Sequence, residues 1–263
     1  MTIKYTLISV FSARQENVLG NISAVFKLDE PLSSNLYQQI AADINQPAST
    51  FILPEEDGGF PIKWYAPDAR IGLCGHGTMA AIAFLAEGRP DQSFQFKSGR
   101  DVLMGFTDES ARHFISLDAI PVNKEIDVPP AIRAGLGIDI IAMYETNNKY
   151  IILAKDESAI ASMQPDFCEL RKCDIFGYAV TAPGESVDFV SRTLVPHVRQ
   201  LEDHATGSSH AVLTDFWSKK LSKPHLQAKQ LSPRGGLFQC SLVEDQVILG
   251  GDFEVISKGE YYI

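Results

Sequence analysis

The chain has 263 residues, 45% of them hydrophobic and 21% charged. That is enough apolar content for one large domain or two halves, and too much for a long disordered chain. Its 23 basic and 33 acidic residues leave a net charge of −10, with no Lys/Arg run. A protein that neutralises phosphates needs a basic face, so no nucleic-acid partner is expected. No stretch approaches the roughly 20 apolar residues of a membrane helix, so no membrane partner is expected either. The N-terminal residues alternate as a strand does and lack the order of a secretory signal. The four cysteines, Cys74, Cys168, Cys173 and Cys240, fit neither a zinc spacing nor a disulfide scaffold, which points to reduced thiols and a cytoplasmic location.

Periodicity places the elements in order. Tyr5–Phe11 and Ile22–Lys27 read as strands on either side of a turn at Gly20-Asn21. Leu36, Ile40 and Ile44 recur at helical spacing, with Ser33 as the N-cap. Ser49–Leu53 and Pro61–Tyr65 are short strand-like runs. Thr78–Ala86 is apolar on every face, so as a helix it must be buried all round. Farther on, Ile151–Ala154 reads as a strand, Asp166–Cys173 as a helix, Tyr178–Thr181 and Val187–Leu194 as strands, and Ser208–Leu221 as a second long helix. Pro129-Pro130 reads as a linker.

The second half repeats the first. In both, a strand runs into Pro67 or Pro196, about ten residues follow, and Gly-Thr or Gly-Ser opens a helix; Gly77 and Gly207 are 130 residues apart. The expected architecture is α+β, with two similar halves, residues 1–125 and 126–263, each with strands curled around its own buried helix. The C-terminal strand is expected to swap across.

Two helix starts then carry the chemistry. A helix N-terminus offers backbone N–H groups and partial positive charge, and glycine lets a ligand approach closely. Gly75, Gly77, Gly207 and Ser208 are therefore candidate contacts for a small carboxylate, although the glycines can equally serve tight turns, and Thr78 and Ser208 can equally be caps. Cys74 at the first start is a candidate proton-exchange thiol or a small buried hydrophobe. His76 is a candidate acid or base, or a structural hydrogen-bonder. Asp203, opposite them, is a candidate to orient a proton-transfer group or to accept a substrate N–H or O–H, and can equally be a helix-cap carboxylate. His76, His204 and His210 could be assembled into a metal site only without the i,i+4 spacing of a helical pair, so no metal is expected.

The motifs resemble one family over essentially the whole chain. Val10-Phe11, Gly20-Asn21 and Ala24-Val25 are similar to the opening of the phenazine-biosynthesis PhzF-like family, within the diaminopimelate epimerase and proline racemase fold group. Cys74-Gly75-His76-Gly77-Thr78 resembles its Gly-His-x-Thr motif. Ser191-Arg192, Pro196, Glu202-Asp203 and Ala205-Thr206-Gly207-Ser208 resemble its second motif. Arg234-Gly235-Gly236-Leu237 and Val247–Gly251 resemble its closing strands. The resemblance implies two diaminopimelate-epimerase-like, barrel-like halves with the active site between them. It also implies a cofactor-free isomerase that moves protons on a small carboxylate substrate, usually as a homodimer. By this carry-over, Gly75, Gly207 and Ser208 hold the carboxylate, and His76 and Asp203 line the reacting centre. The sequence departs from the pattern at Ala48, which stands where the family's isomerases carry the Glu that shuttles the proton. It also has His204 in place of Pro, and Gly77 where Ala or Pro is usual. The alternative function is a metabolite-binding protein that kept the site and lost the shuttle.

Overall fold

A computed structural model describes residues 2–263. The chain forms two compact units. The first runs through β1 (Thr2–Ser12), β2 (Asn21–Lys27), α1 (Ser34–Ile44), β3 (Ala48–Ile52), β4 (Phe60–Tyr65), β5 (Arg70–Ile71), α2 (Gly75–Ala86), β6 (Ser93–Ser98), β7 (Asp101–Thr107) and β8 (His113–Asp118). The second runs through β9 (Val122–Ile126), α3 (Pro130–Leu136), β10 (Ile140–Thr146), β11 (Tyr150–Ala154), α4 (Glu157–Ser162), α5 (Phe167–Leu170), β12 (Tyr178–Pro183), β13 (Phe189–Val195), β14 (Leu201–Asp203), α6 (Gly207–Leu221), β15 (His225–Gln230) and β16 (Gly236–Val243). The last strand, β17 (Gln246–Tyr262), pairs antiparallel with β1 from Thr2 to Ser12, so Gly250–Ile263 belong to the first unit.

Strand pairing closes the first unit on itself. β1 lies between β2 and β17, β2 pairs parallel with β3, β3 antiparallel with β4, and β4 parallel with β6. β6, β7 and β8 follow antiparallel, and β8 meets β17. The second unit uses the same sequence of pairings: β9–β10–β11 antiparallel, β11–β12 parallel, β12–β13 antiparallel, β13–β15 parallel and β15–β16 antiparallel. The short β14 sits on β13 as β5 sits on β4. The repeat seen in the sequence is thus a repeat of topology, and the protein is an α+β fold of two pseudo-symmetric, barrel-like halves.

Each barrel buries a helix. Ten of the twelve residues of α2 are buried, from Gly75 to Ala83 and again at Ala86. A helix with no polar face has no stable place at a surface, so the strands must wrap it. Outer helices cover the other faces of the strands. In the first unit Tyr37, Ile40 and Ala41 of α1 pack with Ala24, Phe26, Phe51 and Tyr65. In the second, Ile132 and Leu136 of α3, Ile160 of α4 and Leu170 of α5 pack with Met143, Ile152, Tyr178, Val180 and Val190. Strands covered on both faces lose the apolar/polar alternation, and β3 and β13 are buried at every position.

Some elements differ from the sequence reading. Pro129-Pro130 is not a linker: Pro130 opens α3, where the missing N–H costs nothing and the fixed φ fits a first turn. The division between units falls between Leu117 and Asp118, and residue 125 lies inside β9, which pairs with β10. The helix read over 166–173 is only Phe167–Leu170, and α4 precedes it. Helix α2 begins at Gly75, one turn earlier than its apolar run, because glycine and histidine interrupt the hydrophobic pattern without interrupting the backbone.

Candidate active site

The two helix starts are built alike. The N-cap residues are Cys74 and Thr206, both in extended conformation, and neither side chain takes a first-turn N–H. Thr78 is not the cap: it lies in the helix, and its Oγ1 donates back to the Cys74 carbonyl at 2.8 Å. Ser208 likewise sits in the first turn of α6. The positive end of each helix dipole therefore lacks the N-cap carboxylate or hydroxyl that commonly covers it.

At the start of α2, the Cys74 thiol lies 3.5 Å from His76 Nδ1 and 3.8 Å from Nε2. Both residues are buried. Gly75 between them opens the helix, and Gly77 follows. A Cβ built on Gly77 would stand 2.7 Å from Thr50 Oγ1, 2.7 Å from the Trp64 ring and 3.0 Å from Cys74 Sγ. Packing of α2 against β3 and β4 by itself requires glycine at 77. Thr50 Oγ1 is in turn 2.7 Å from Ser23 Oγ, which donates to the Ala48 carbonyl at 3.2 Å. Ala48 is fully buried, two residues before Thr50 on β3, so strand alternation puts it on the face that Thr50 turns towards α2. A methyl group occupies that place and can neither donate nor accept a proton.

At the start of α6, Asp203 is held by its neighbours. Oδ1 accepts from the His204 backbone N–H at 2.9 Å and Oδ2 from Thr206 Oγ1 at 2.8 Å. Gln230, fully buried on β15, braces the loop: its Nε2 donates to the Asp203 carbonyl at 2.6 Å and its Oε1 accepts from Thr206 N–H at 2.9 Å. Arg192 and Glu202 fix the strand that leads into it, and Ser232 Oγ donates to the His204 carbonyl at 2.6 Å. His204 is half-buried, its pKa drawn down by burial, with Nδ1 lacking a hydrogen-bond partner among the described residues. Lys149, from the β10–β11 turn, donates to Ser208 Oγ at 2.8 Å. Lys149 and Gln230 were not singled out in the sequence. A Lys after Asn-Asn reads as a surface turn, and no local pattern marks either residue as buried.

His210 is a structural histidine. Its Nδ1 lies 2.8 Å from the Thr206 carbonyl, so that nitrogen carries the proton, and its ring stacks on Phe238 with centroids 3.6 Å apart. Complete burial lowers its pKa to about 4. Among the described residues no three His, Cys, Asp or Glu side chains are grouped so as to hold a metal, and no helix is long and apolar enough to cross a membrane.

Comparison with known proteins agrees with this architecture. The sequence model for phenazine biosynthesis-like proteins matches residues 8–247, and the chain belongs to that family. An uncharacterized isomerase of Pseudomonas aeruginosa is 31% identical over 261 residues, covering 98% of this chain and 98% of the relative. A crystal structure of a PhzF-family phenazine biosynthesis protein from Enterococcus faecalis superposes with a TM-score of 0.91 at 34% identity, covering all of both chains. A probable proline racemase from Agrobacterium radiobacter, 10% identical, superposes at 0.67 over 99% of this chain and 93% of that one, which shows a shared fold.

Proposed function

We propose that this protein is a cofactor-independent PhzF-like isomerase that moves protons on a small carboxylate-containing metabolite. The observation that carries the reading is the matched pair of helix starts. One presents a thiol and an imidazole in contact, the other a carboxylate held by Thr206, and neither has a side-chain cap on its N–H groups. In this reading Gly75, Gly77, Gly207 and Ser208 offer the substrate carboxylate backbone N–H groups and a hydroxyl. His76 and Asp203 donate and accept the proton at carbon, with Cys74 exchanging a proton with His76. Positioned acid and base groups each contribute about 10²–10⁴-fold. Ala48 has no part in proton transfer. The family resemblance further leads us to propose a homodimer acting in the cytoplasm, and light scattering on the purified protein tests the first of these.

The test is solvent deuterium exchange into small carbon acids whose labile C–H adjoins a carboxylate, followed by proton NMR. Exchange that requires the protein supports the isomerase. A second reading, a metabolite-binding protein, draws on Ala48 alone: the position of the family's shuttle is a buried methyl. Binding without exchange, together with activity gained by Ala48→Glu, favours that second reading.

A further inference from the structure

Lys149 closes the turn between β10 and β11. Thr146 Oγ1 donates to its carbonyl at 2.9 Å and accepts from Asn148 N–H at 3.1 Å, so the turn is fixed. The side chain runs inward and only 5% of the residue is exposed, which is rare for lysine. Nζ donates to Ser208 Oγ at 2.8 Å and to Asn148 Oδ1 at 3.1 Å, and lies 5.7 Å from the centre of the Phe176 ring. Chemistry sets the direction of the first bond. An ammonium has donors and no acceptor, so Ser208 Oγ must accept from it. The hydroxyl's own proton then points elsewhere, and Ser208 is half-buried, so its far side remains partly accessible.

We infer that Lys149 is a positioning residue for the substrate: by occupying the Ser208 oxygen as a donor, it turns the Ser208 hydroxyl into a fixed donor backed by a buried positive charge, so that the start of α6 selects a carboxylate over a neutral group. This rests on the reading of Ser208 as a substrate contact and adds the residue that sets its polarity.

A pH dependence follows. Burial lowers the Lys149 pKa to about 8, and the nearby Asp203 carboxylate opposes that shift. Around Nζ stand Asp203, Asn148, Ser208 and the Phe176 ring, of which Asp203 is the one ionisable group. The neutral amine above that pH has a lone pair. Ser208 then donates to Lys149, turns its own lone pairs towards the ligand, and a carboxylate loses its donor.

Formate, the smallest carboxylate, is the probe, observed through the amide shifts of residues 207–209 between pH 6 and 10. The wild-type protein should bind it about tenfold more weakly at pH 10 than at pH 7, the size of one charge-assisted hydrogen bond. Lys149→Met should bind at pH 7 as weakly as the wild type does at pH 10. Lys149→Arg, charged throughout, should lose the dependence on pH. Formate binding that is equal in the wild type and in Lys149→Met, or that falls with pH as steeply in Lys149→Arg, overturns the role of Lys149 and leaves the carboxylate site standing. The absence of formate binding to wild type at every pH overturns the carboxylate site and this inference with it. Direct titration of the Lys149 side chain by NMR is the independent check: a midpoint near that of free lysine overturns the pH mechanism whatever binds.

Discussion

Arg192 grips Glu202 through two parallel hydrogen bonds, Nε to Oε1 at 2.8 Å and a terminal nitrogen to Oε2 at 2.7 Å, with both side chains nearly buried. Its other terminal nitrogen donates to the Met163 carbonyl at 2.6 Å, at the end of α4. One guanidinium thus ties an outer helix to β14, the strand that delivers Asp203. The planar fork suits this geometry, and an ammonium cannot reproduce it. Removing one partner of a buried pair leaves an uncompensated charge, at a cost of about 3–5 kcal/mol. We expect Arg192→Met to lose stability of that order in urea denaturation and Arg192→Lys to lose less. An unchanged midpoint in Arg192→Met would show that the pair holds nothing.

His210 should make the protein acid-sensitive. Its folded pKa of about 4 lies below the ordinary histidine value of 6.5, because burial disfavours the charged form. Between those values the unfolded chain binds a proton that the folded chain does not, so stability rises with pH through the window. The contribution is complete above pH 6.5 and is lost as pH falls to about 4. The shift corresponds to roughly 3 kcal/mol. Urea midpoints measured from pH 7 to 4 should fall, and the fall should shrink in His210→Gln. Equal slopes in both proteins would assign the acid sensitivity elsewhere.

Gly77 should resist the smallest substitution. An alanine methyl would meet Thr50 Oγ1 and the Trp64 ring, both at 2.7 Å. Alanine favours a helix interior over glycine by about 1 kcal/mol, while overpacking costs about 1–3 kcal/mol. Trp64 is fully buried and cannot swing into solvent, so the clash should win and Gly77→Ala should be less stable in thermal melts. A raised melting temperature would mean that the wall yields more easily than its packing suggests.

What the sequence revealed and what it hid have physical reasons. The burial of α2 was legible because nine consecutive residues from Thr78 to Ala86 leave no polar face. The two-fold repeat was legible because Gly-Thr and Gly-Ser follow a strand and Pro at nearly the same spacing, and the parallel pairs β2–β3 and β11–β12 answer to it. Cys74 and His76 lie at the start of α2, and Asp203 ends β14, three residues before the N-cap of α6. Lys149 and Gln230 were hidden, since long-range packing alone buries them: Lys149 meets a residue 59 positions away and Gln230 one 24 positions away. The true caps were missed because Thr78 bonds backwards to Cys74, a choice that composition does not reveal.

Proton transfer by Cys74, His76 and Asp203, and not by position 48, is open to one decisive experiment. The direct measurement is the rate of solvent deuterium exchange into a bound carbon acid, compared among the wild type, Cys74→Ser, His76→Ala and Asp203→Asn. Loss of a catalytic acid or base should lower exchange by at least about 10²-fold, with each variant still folded and still binding. Full exchange in all three variants would show that Cys74, His76 and Asp203 do not carry the proton.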